Sequence, residues 1–449
     1  MPISLTCRCK NVLSVPERLI GKSTLCPGCG EFLDVIDPDD PAVRAAREAE
    51  QKRKAEEPTP KELKALVRDA IDGDIKPVRR TAGYRVGVAV VAAAMLALPA
   101  LYVGLILLVG VGLYWHATTN YQVFRLFRVY LAILFYVGPL LVGLLLLVFM
   151  IKPLLAPPPR SRRGKPLRMD KEQVLAVFVE EIARACHAPG PRRVEVDCNV
   201  NASASLGRGL FSFFGHDLTL TIGLPLVVGL NAQQLAGVLA HEFGHFAQGA
   251  GMRLTFVVRT VNAWFARVVY ERDDWDEQLH EWCKESGFAG MVAWATRVCV
   301  IGTRAILWVF MMAGHGISCF MLRRMEYDAD KSEARLVGTR TFEKTFRRLA
   351  RYGAAAADAH EILERCWIKD RFPDDFPTLV VALAGAMSDG DRRRVDDELE
   401  DTRAGLFDTH PSFAQRVAAV EDEDPDGIME LDLPATALFK DLPKLSEAA

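Results

Sequence analysis

Asn231-Ala-Gln-Gln-Leu-Ala-Gly-Val-Leu-Ala-His241-Glu242-Phe243-Gly244-His245 reads as one amphipathic helix that carries chemistry. Asn231 suits the cap of a first turn, and Gln234 stands three positions on, where a capping-box partner belongs. Leu235, Val238 and Leu239 recur at helical spacing. On such a helix His241 and His245 lie one turn apart on one face, so both imidazoles can reach a single tetrahedral metal ion. Glu242 lies beside them and can take a proton from water activated by that metal. Two histidines satisfied merely by solvent or backbone would fit the helical context and apolar flanks less well.

A metal so held needs a third protein ligand. In the pattern HExxHxxGxxH a further His comes from the same stretch, but Gln248 and Gly251 occupy the deciding positions, which excludes it. A glutamate from a second helix is the other solution. In Arg323-Arg-Met-Glu326-Tyr-Asp-Ala-Asp330, Glu326 is the candidate ligand. Asp330, one turn later, could hydrogen-bond a ligating His and fix its tautomer. A lone Glu in a charged helix is usually a solvated residue; only the combination raises this one.

His-Glu-Phe-Gly-His, followed about eighty residues later by Glu326-Tyr-Asp-Ala-Asp330, resembles the HtpX-like and CAAX-prenyl-endopeptidase group of gluzincins. Asn201-Ala202-Ser203-Ala204 is similar to the family's Asn-Ala motif before the strand that lines the substrate cleft. Thr409-His410-Pro411-Ser412 with Arg416 is similar to its late His-Pro motif. The resemblance covers residues 170–420. It implies an ATP-independent membrane endopeptidase with Glu326 as third zinc ligand, His410 near the active site, and Asn201 and Ala202 as substrate-binding residues. His410 is then a candidate oxyanion stabiliser or, alternatively, a helix-start residue beside Pro411. The sequence departs from the family where a second hydrophobic hairpin is expected, by carrying Arg259, Arg267, Arg297 and Arg304.

The rest of the chain places this unit at a membrane. At 449 residues two or three structural units are expected. From Val86 to Trp115 and from Val129 to Ile151 there is no charged side chain, and each stretch exceeds the roughly 20 residues that cross a bilayer as a helix. Lys76, Arg79, Arg80 and Arg85 precede the hairpin, and Lys152, Arg160, Arg162, Arg163, Lys165 and Arg168 follow it; its connection holds only Arg125 and Arg128. Positive flanks predict a cytoplasmic N-terminus and catalytic domain, in an inner or cytoplasmic membrane. Ala305–Leu322 is also apolar, whereas Leu254–Tyr270 contains Arg259 and Arg267, each costing about 2.5–3.5 kcal/mol at a helix centre. If His245 and Glu326 share a metal, the chain between them crosses an even number of times. Two firm spans are expected, with the later pair apposed to the membrane or embedded in it.

The predicted fold is mainly α (α+β): an N-terminal zinc ribbon, a transmembrane helical hairpin over 86–151, and a gluzincin metallopeptidase domain with a small sheet over 170–422. Cys7, Cys9, Cys26 and Cys29 within residues 1–37 form two pairs suited to a structural zinc, or alternatively stay as free or redox cysteines. A charged linker is expected over 38–80 and a tail over 423–449. Net charge is −2, and Glu17, Glu31, Asp34 and Asp37 offset the basic residues of the N-terminal module, which speaks against a nucleic-acid partner. The expected function is a membrane zinc endopeptidase with one catalytic and one structural zinc, acting on membrane-associated or misfolded proteins. The alternative is a non-proteolytic membrane scaffold or recognition protein using its zinc ribbon.

Overall fold

The computed structural model describes residues 3–7, 12–15, 20, 22–28, 32–35, 41, 58–78, 81–126, 128–155, 164–206, 218–247, 250–272, 274–284, 287–368, 375–405 and 408–447. They divide into two units, Met1–Leu63 and Lys64–Ala449. In the first, β1 (Ile3–Thr6) pairs antiparallel with β2 (Val12–Val15), and β3 (Ser23–Leu25) with β4 (Phe32–Asp34). Val15 and Val35 are its buried apolar pair, too small a core to hold a fold alone. Cys7 and Cys26 are both buried; Cys9 and Cys29 lie outside the described residues.

The second unit is mainly helical with one small mixed sheet, as the sequence predicts. Its first part differs from the expected solvated linker. Helix α1 (Pro60–Asp69) and the strand-like stretch after it bury Val67, Ile71 and Ile75. The Asp72 amide donates to the Ile428 carbonyl at 2.9 Å, and the Ile75 amide to Ala185 at 3.1 Å. Apolar residues spaced by four within a charged run give one buried side, and each such side chain contributes roughly 1.5–3 kcal/mol when removed from water. The segment expected as a tail is likewise packed. Met429, Leu431, Ala435 and Leu438 are buried, and the Leu433 carbonyl accepts from the Ala232 amide at 2.7 Å. The start of the histidine-bearing helix is thus held from the far end of the chain.

Helices α2 (Ala82–Thr119) and α3 (Val129–Leu155) form the expected hairpin. After α3 comes the sheet, in order β5-β6-β8-β7, formed by Lys165–Pro166, Arg193–Asp197, Ala202–Leu206 and Leu218–Gly223 as β5 to β8. β6 and β8 run parallel, while β7 runs antiparallel to β8. The alternating residues of β8 bury Leu218, Leu220 and Ile222. A Cβ at Gly223 would stand 2.6 Å from the Asn201 carbonyl oxygen, so only glycine lets the turn into β7 close here. Helix α4 (Gln173–Ala185) lies between β5 and β6 in the chain, and α5 (Ala232–Phe246) follows the sheet.

Two long helices complete the frame: α6 (Ala250–Tyr270) and α7 (Phe288–Val337). Among the described residues three helices are long and apolar enough to cross a membrane, over Ala82–Arg125, Val129–Leu155 and Val292–Val337. The chain is an integral membrane protein, and the third of these exceeds the two firm spans expected from sequence. The reason is continuity: the apolar stretch ending at Leu322 runs without a break into Glu326 and Asp330, making one 50-residue helix. Helix α6 is packed into the same bundle. Met95, Tyr102, Met150, Val261, Phe265, Leu307 and Met311, from all four helices, form one buried cluster.

Candidate metal centre

Helix α5 begins as the sequence predicts. The Asn231 side chain accepts from the Gln234 amide at 2.8 Å, and the Gln234 side chain accepts from the Asn231 amide at 3.3 Å. That box fixes the helical phase, and ten residues later His241 and His245 face α7. The two helices cross closely at Gly244. A Cβ there would stand 2.9 Å from the Ser332 hydroxyl and 3.1 Å from the Ala329 backbone. Glycine between the motif residues therefore lets α7 approach near enough for its carboxylates to meet the imidazoles.

Glu326 is the meeting point. His241 Nε2 lies 3.6 Å from one of its carboxylate oxygens, and His245 Nε2 lies 3.6 Å from the other. Ligand atoms about 2.0–2.1 Å from a tetrahedral zinc stand about 3.3 Å apart, so this spacing suits two imidazoles and a carboxylate around one ion. Behind the ring, His241 Nδ1 donates to Asp330 Oδ1 at 3.1 Å, which turns the Nε2 edge towards Glu326. Arg416 anchors that carboxylate: its Nε donates to both Asp330 oxygens, at 2.9 and 3.1 Å, and its guanidinium lies 4.4 Å over the Phe346 ring. Arg416 sits on the helix Phe413–Val420, whose start is fixed by a capping box between Ser412 and Gln415. His245 Nδ1 is buried with no partner among the described residues.

Electrostatics favour a cation in this space. Four carboxylates (Glu242, Glu326, Asp330, Glu333) gather around two guanidiniums (Arg259, Arg416), so a divalent ion would balance the site when all are ionised. Burial pushes the His245 imidazole down to about 3, which leaves it neutral and able to ligate. Burial opposes charge on His241 too, but the Asp330 carboxylate bonded to its Nδ1 and the Glu326 carboxylate beside its Nε2 outweigh this and hold it up to about 10. The donor set and spacing fit a zinc-type ion.

Glu242 stands apart from the three candidate ligands. Its Oε2 accepts from the Ala204 amide of β7 at 3.0 Å. Burial raises its carboxyl above the ordinary glutamate range, against the pull of the His241 charge and the Ala204 amide. β7 is the terminal strand of the sheet among the described residues, with Ala202 at its start and Asn201 just before it. His410 Nδ1 lies 3.1 Å from Glu326 Oε2, with its ring largely exposed at the rim.

Two further residues escape the sequence reading. Glu333, buried, lies with Oε2 3.8 Å from His241 Nδ1. The spacing Glu326, Asp330, Glu333 puts all three on one face of α7, a signal the sequence does contain. Arg259 of α6 reaches Glu326 Oε1 at 3.4 Å. From sequence it counts only as a cost to a membrane helix; nothing local says that it points at another helix's carboxylate.

Residues 170–424 match the model of peptidase family M48. The chain is 28% identical over 209 residues to a protein named Protease HtpX of Acinetobacter baylyi, covering 46% of this chain and 58% of that one. It is 28% identical over 215 residues to Protease HtpX of Acinetobacter baumannii, covering 46% and 59%. A Pseudomonas putida protein of the same name is 26% identical over 260 residues, covering 56% and 72%. The chain thus spans little more than half the length of the first two relatives. No solved structure matches it. The family match takes in β6 to β8, both histidines, Glu326 and Arg416, which are the parts that build the centre, and on that ground the chain belongs to peptidase family M48.

Proposed function

We propose that this protein is a membrane-anchored zinc endopeptidase that cleaves membrane-associated or misfolded proteins on the cytoplasmic side. The observation that carries this reading is the convergence of His241, His245 and Glu326, with Glu242 beside them on the face bordered by β7. When bound, zinc supplies Lewis-acid chemistry, acidifying a water and polarising the scissile carbonyl. Glu242 takes a proton from the attacking water, whose oxygen bonds to the carbonyl carbon. As the C–N bond breaks, Glu242 returns that proton to the leaving nitrogen. The start of β7, at Asn201 and Ala202, orients an extended peptide, and His410 donates to the oxyanion. Asp330 keeps His241 in the ligating tautomer. Cys7, Cys9, Cys26 and Cys29 hold a second, structural zinc, whose four thiolates leave no open position.

Metal removal tests the reading. A chelator abolishes proteolysis by the purified protein, and added zinc restores it; a fully active metal-free protein would refute the mechanism. Full occupancy is two zinc ions per chain. His241 carries a proton in the metal-free state below about pH 10, whereas His245 is neutral above about pH 3. Metal binding at this site therefore displaces the proton on His241, and its affinity rises with pH. Competition against a chelator at several pH values measures the slope, and a flat response would contradict His241 as the proton-bearing ligand.

The topology proposed is four spans. His245 and Glu326 share a site, so the crossing made by α7 needs a return, and α6 is the helix packed beside it. Single cysteines on a cysteine-free background, placed at 203, 284 and 388, test this by labelling. Position 284 is expected to react from the face opposite to the other two; labelling of all three from one side would leave only the first hairpin spanning.

A further inference from the structure

A charge within a membrane-packed helix is costly, and where one occurs it faces a partner or a functional space. Arg259 lies in α6 between Val258 and Val261, both buried in the apolar bundle, yet its own side chain is half exposed at 51%. It turns away from that cluster and puts one guanidinium nitrogen 3.4 Å from Glu326 Oε1. The other oxygen of the same carboxylate faces His410 Nδ1 at 3.1 Å. Each oxygen of Glu326 is thus flanked by one donor, and both donor side chains are at least half exposed.

The second arginine near the centre is differently placed. Arg416 is largely covered, clasped to Asp330 and stacked on Phe346, behind the His241 ring. It has no open side to offer a substrate. Arg259 lies against the same Glu326 carboxylate that faces both histidines at 3.6 Å. A guanidinium has five donors in a fixed fork, so one contact with Glu326 leaves others for a second oxygen.

We infer that Arg259 is a catalytic residue: its half-exposed guanidinium, braced by Glu326, donates to the scissile carbonyl oxygen as that oxygen becomes an anion. The inference rests on the proteolytic reading above. It makes α6 a part of the catalytic machinery rather than only a wall of the bundle. A donor fixed in place before reaction, with a charge held at every working pH, stabilises the transition state more than the bound substrate.

The test compares wild type with Arg259→Ala and Arg259→Lys, measuring zinc content, kcat and KM on a peptide that the wild type cleaves. A peptide phosphinate, an anionic mimic of the tetrahedral state, is titrated against each. For Arg259→Ala the expected result is a fall in kcat of about 10²-fold or more, with KM changed less than about threefold and zinc unchanged. Phosphinate affinity falls in parallel with kcat, and lysine recovers part of both. Unchanged kcat in either variant, or zinc lost in step with activity in both, overturns the inference; the latter would make Arg259 only a brace for the ligand. Should Arg259→Ala not fold, the lysine variant decides, since its shorter-reaching point charge still lowers phosphinate affinity. A wild type that cleaves no peptide with zinc bound refutes the proteolytic reading itself, a result separate from any of these.

Discussion

Glu242→Gln lowers kcat by about 10²–10⁴-fold while the purified protein keeps its metal. The substitution is nearly isosteric, and the glutamine carbonyl can accept the Ala204 amide as the carboxylate does at 3.0 Å. Glu242 is also outside the His241, His245 and Glu326 set, so no ligand is lost. Its carboxyl is already raised by burial, so exchanging it for a neutral amide places no new strain on folding. What disappears is the ability to take a proton and give it back. Metal analysis, thermal unfolding and turnover on one preparation separate these effects. Proteolysis at the wild-type rate would remove Glu242 from the mechanism. The same variant, expressed in cells, should accumulate uncut membrane proteins, and comparing its proteome with that of the wild type would reveal substrates.

Glu326→Gln has the second large effect, on metal affinity. Removing an outer hydrogen-bond partner of a ligand typically weakens metal binding about 10–100-fold, and removing a ligand's charge should exceed that. Glu326 is buried and is the one residue in reach of both histidines, His410 and Arg259. Its neutral replacement leaves those groups facing an amide. With free metal in excess, a hundredfold loss of affinity removes about 2.7 kcal/mol of metal-linked stability. Zinc titration and the shift of thermal unfolding with added zinc measure both. Wild-type affinity in Glu326→Gln would mean that the third ligand lies elsewhere, the other carboxylates in reach of His241 being Asp330 at 3.1 Å and Glu333 at 3.8 Å.

Much of the centre is legible because local rules fix it. The box at Asn231 and Gln234 sets the phase of α5, and four-residue spacing then puts both histidines on one side. The strands at Val194–Val196 and Leu218–Ile222 follow from alternation and β-branched residues. Other readings failed where a short pattern is ambiguous. Val67, Ile71 and Ile75 sit among so many charges that the segment resembles a solvated linker, yet these three buried side chains and the backbone bonds of Asp72 and Ile75 dock it. Residues 423–449 are expected as a tail, but the Leu433 carbonyl accepts from the first amide of α5.

The sequence by itself determined the candidate groups: two imidazoles and Glu242 on one helix, a carboxylate on another, and helices long enough to cross a bilayer. These depend on periods of a few residues, which the chain carries locally. Tertiary structure alone decided which distant groups complete the centre. Arg259 reaches Glu326 because α6 and α7 share an apolar cluster, and Arg416 reaches Asp330 because a capped helix near the C-terminus returns to α7. Such encounters join residues 67 and 86 positions apart. Packing across the whole chain sets them, and no local spacing encodes it.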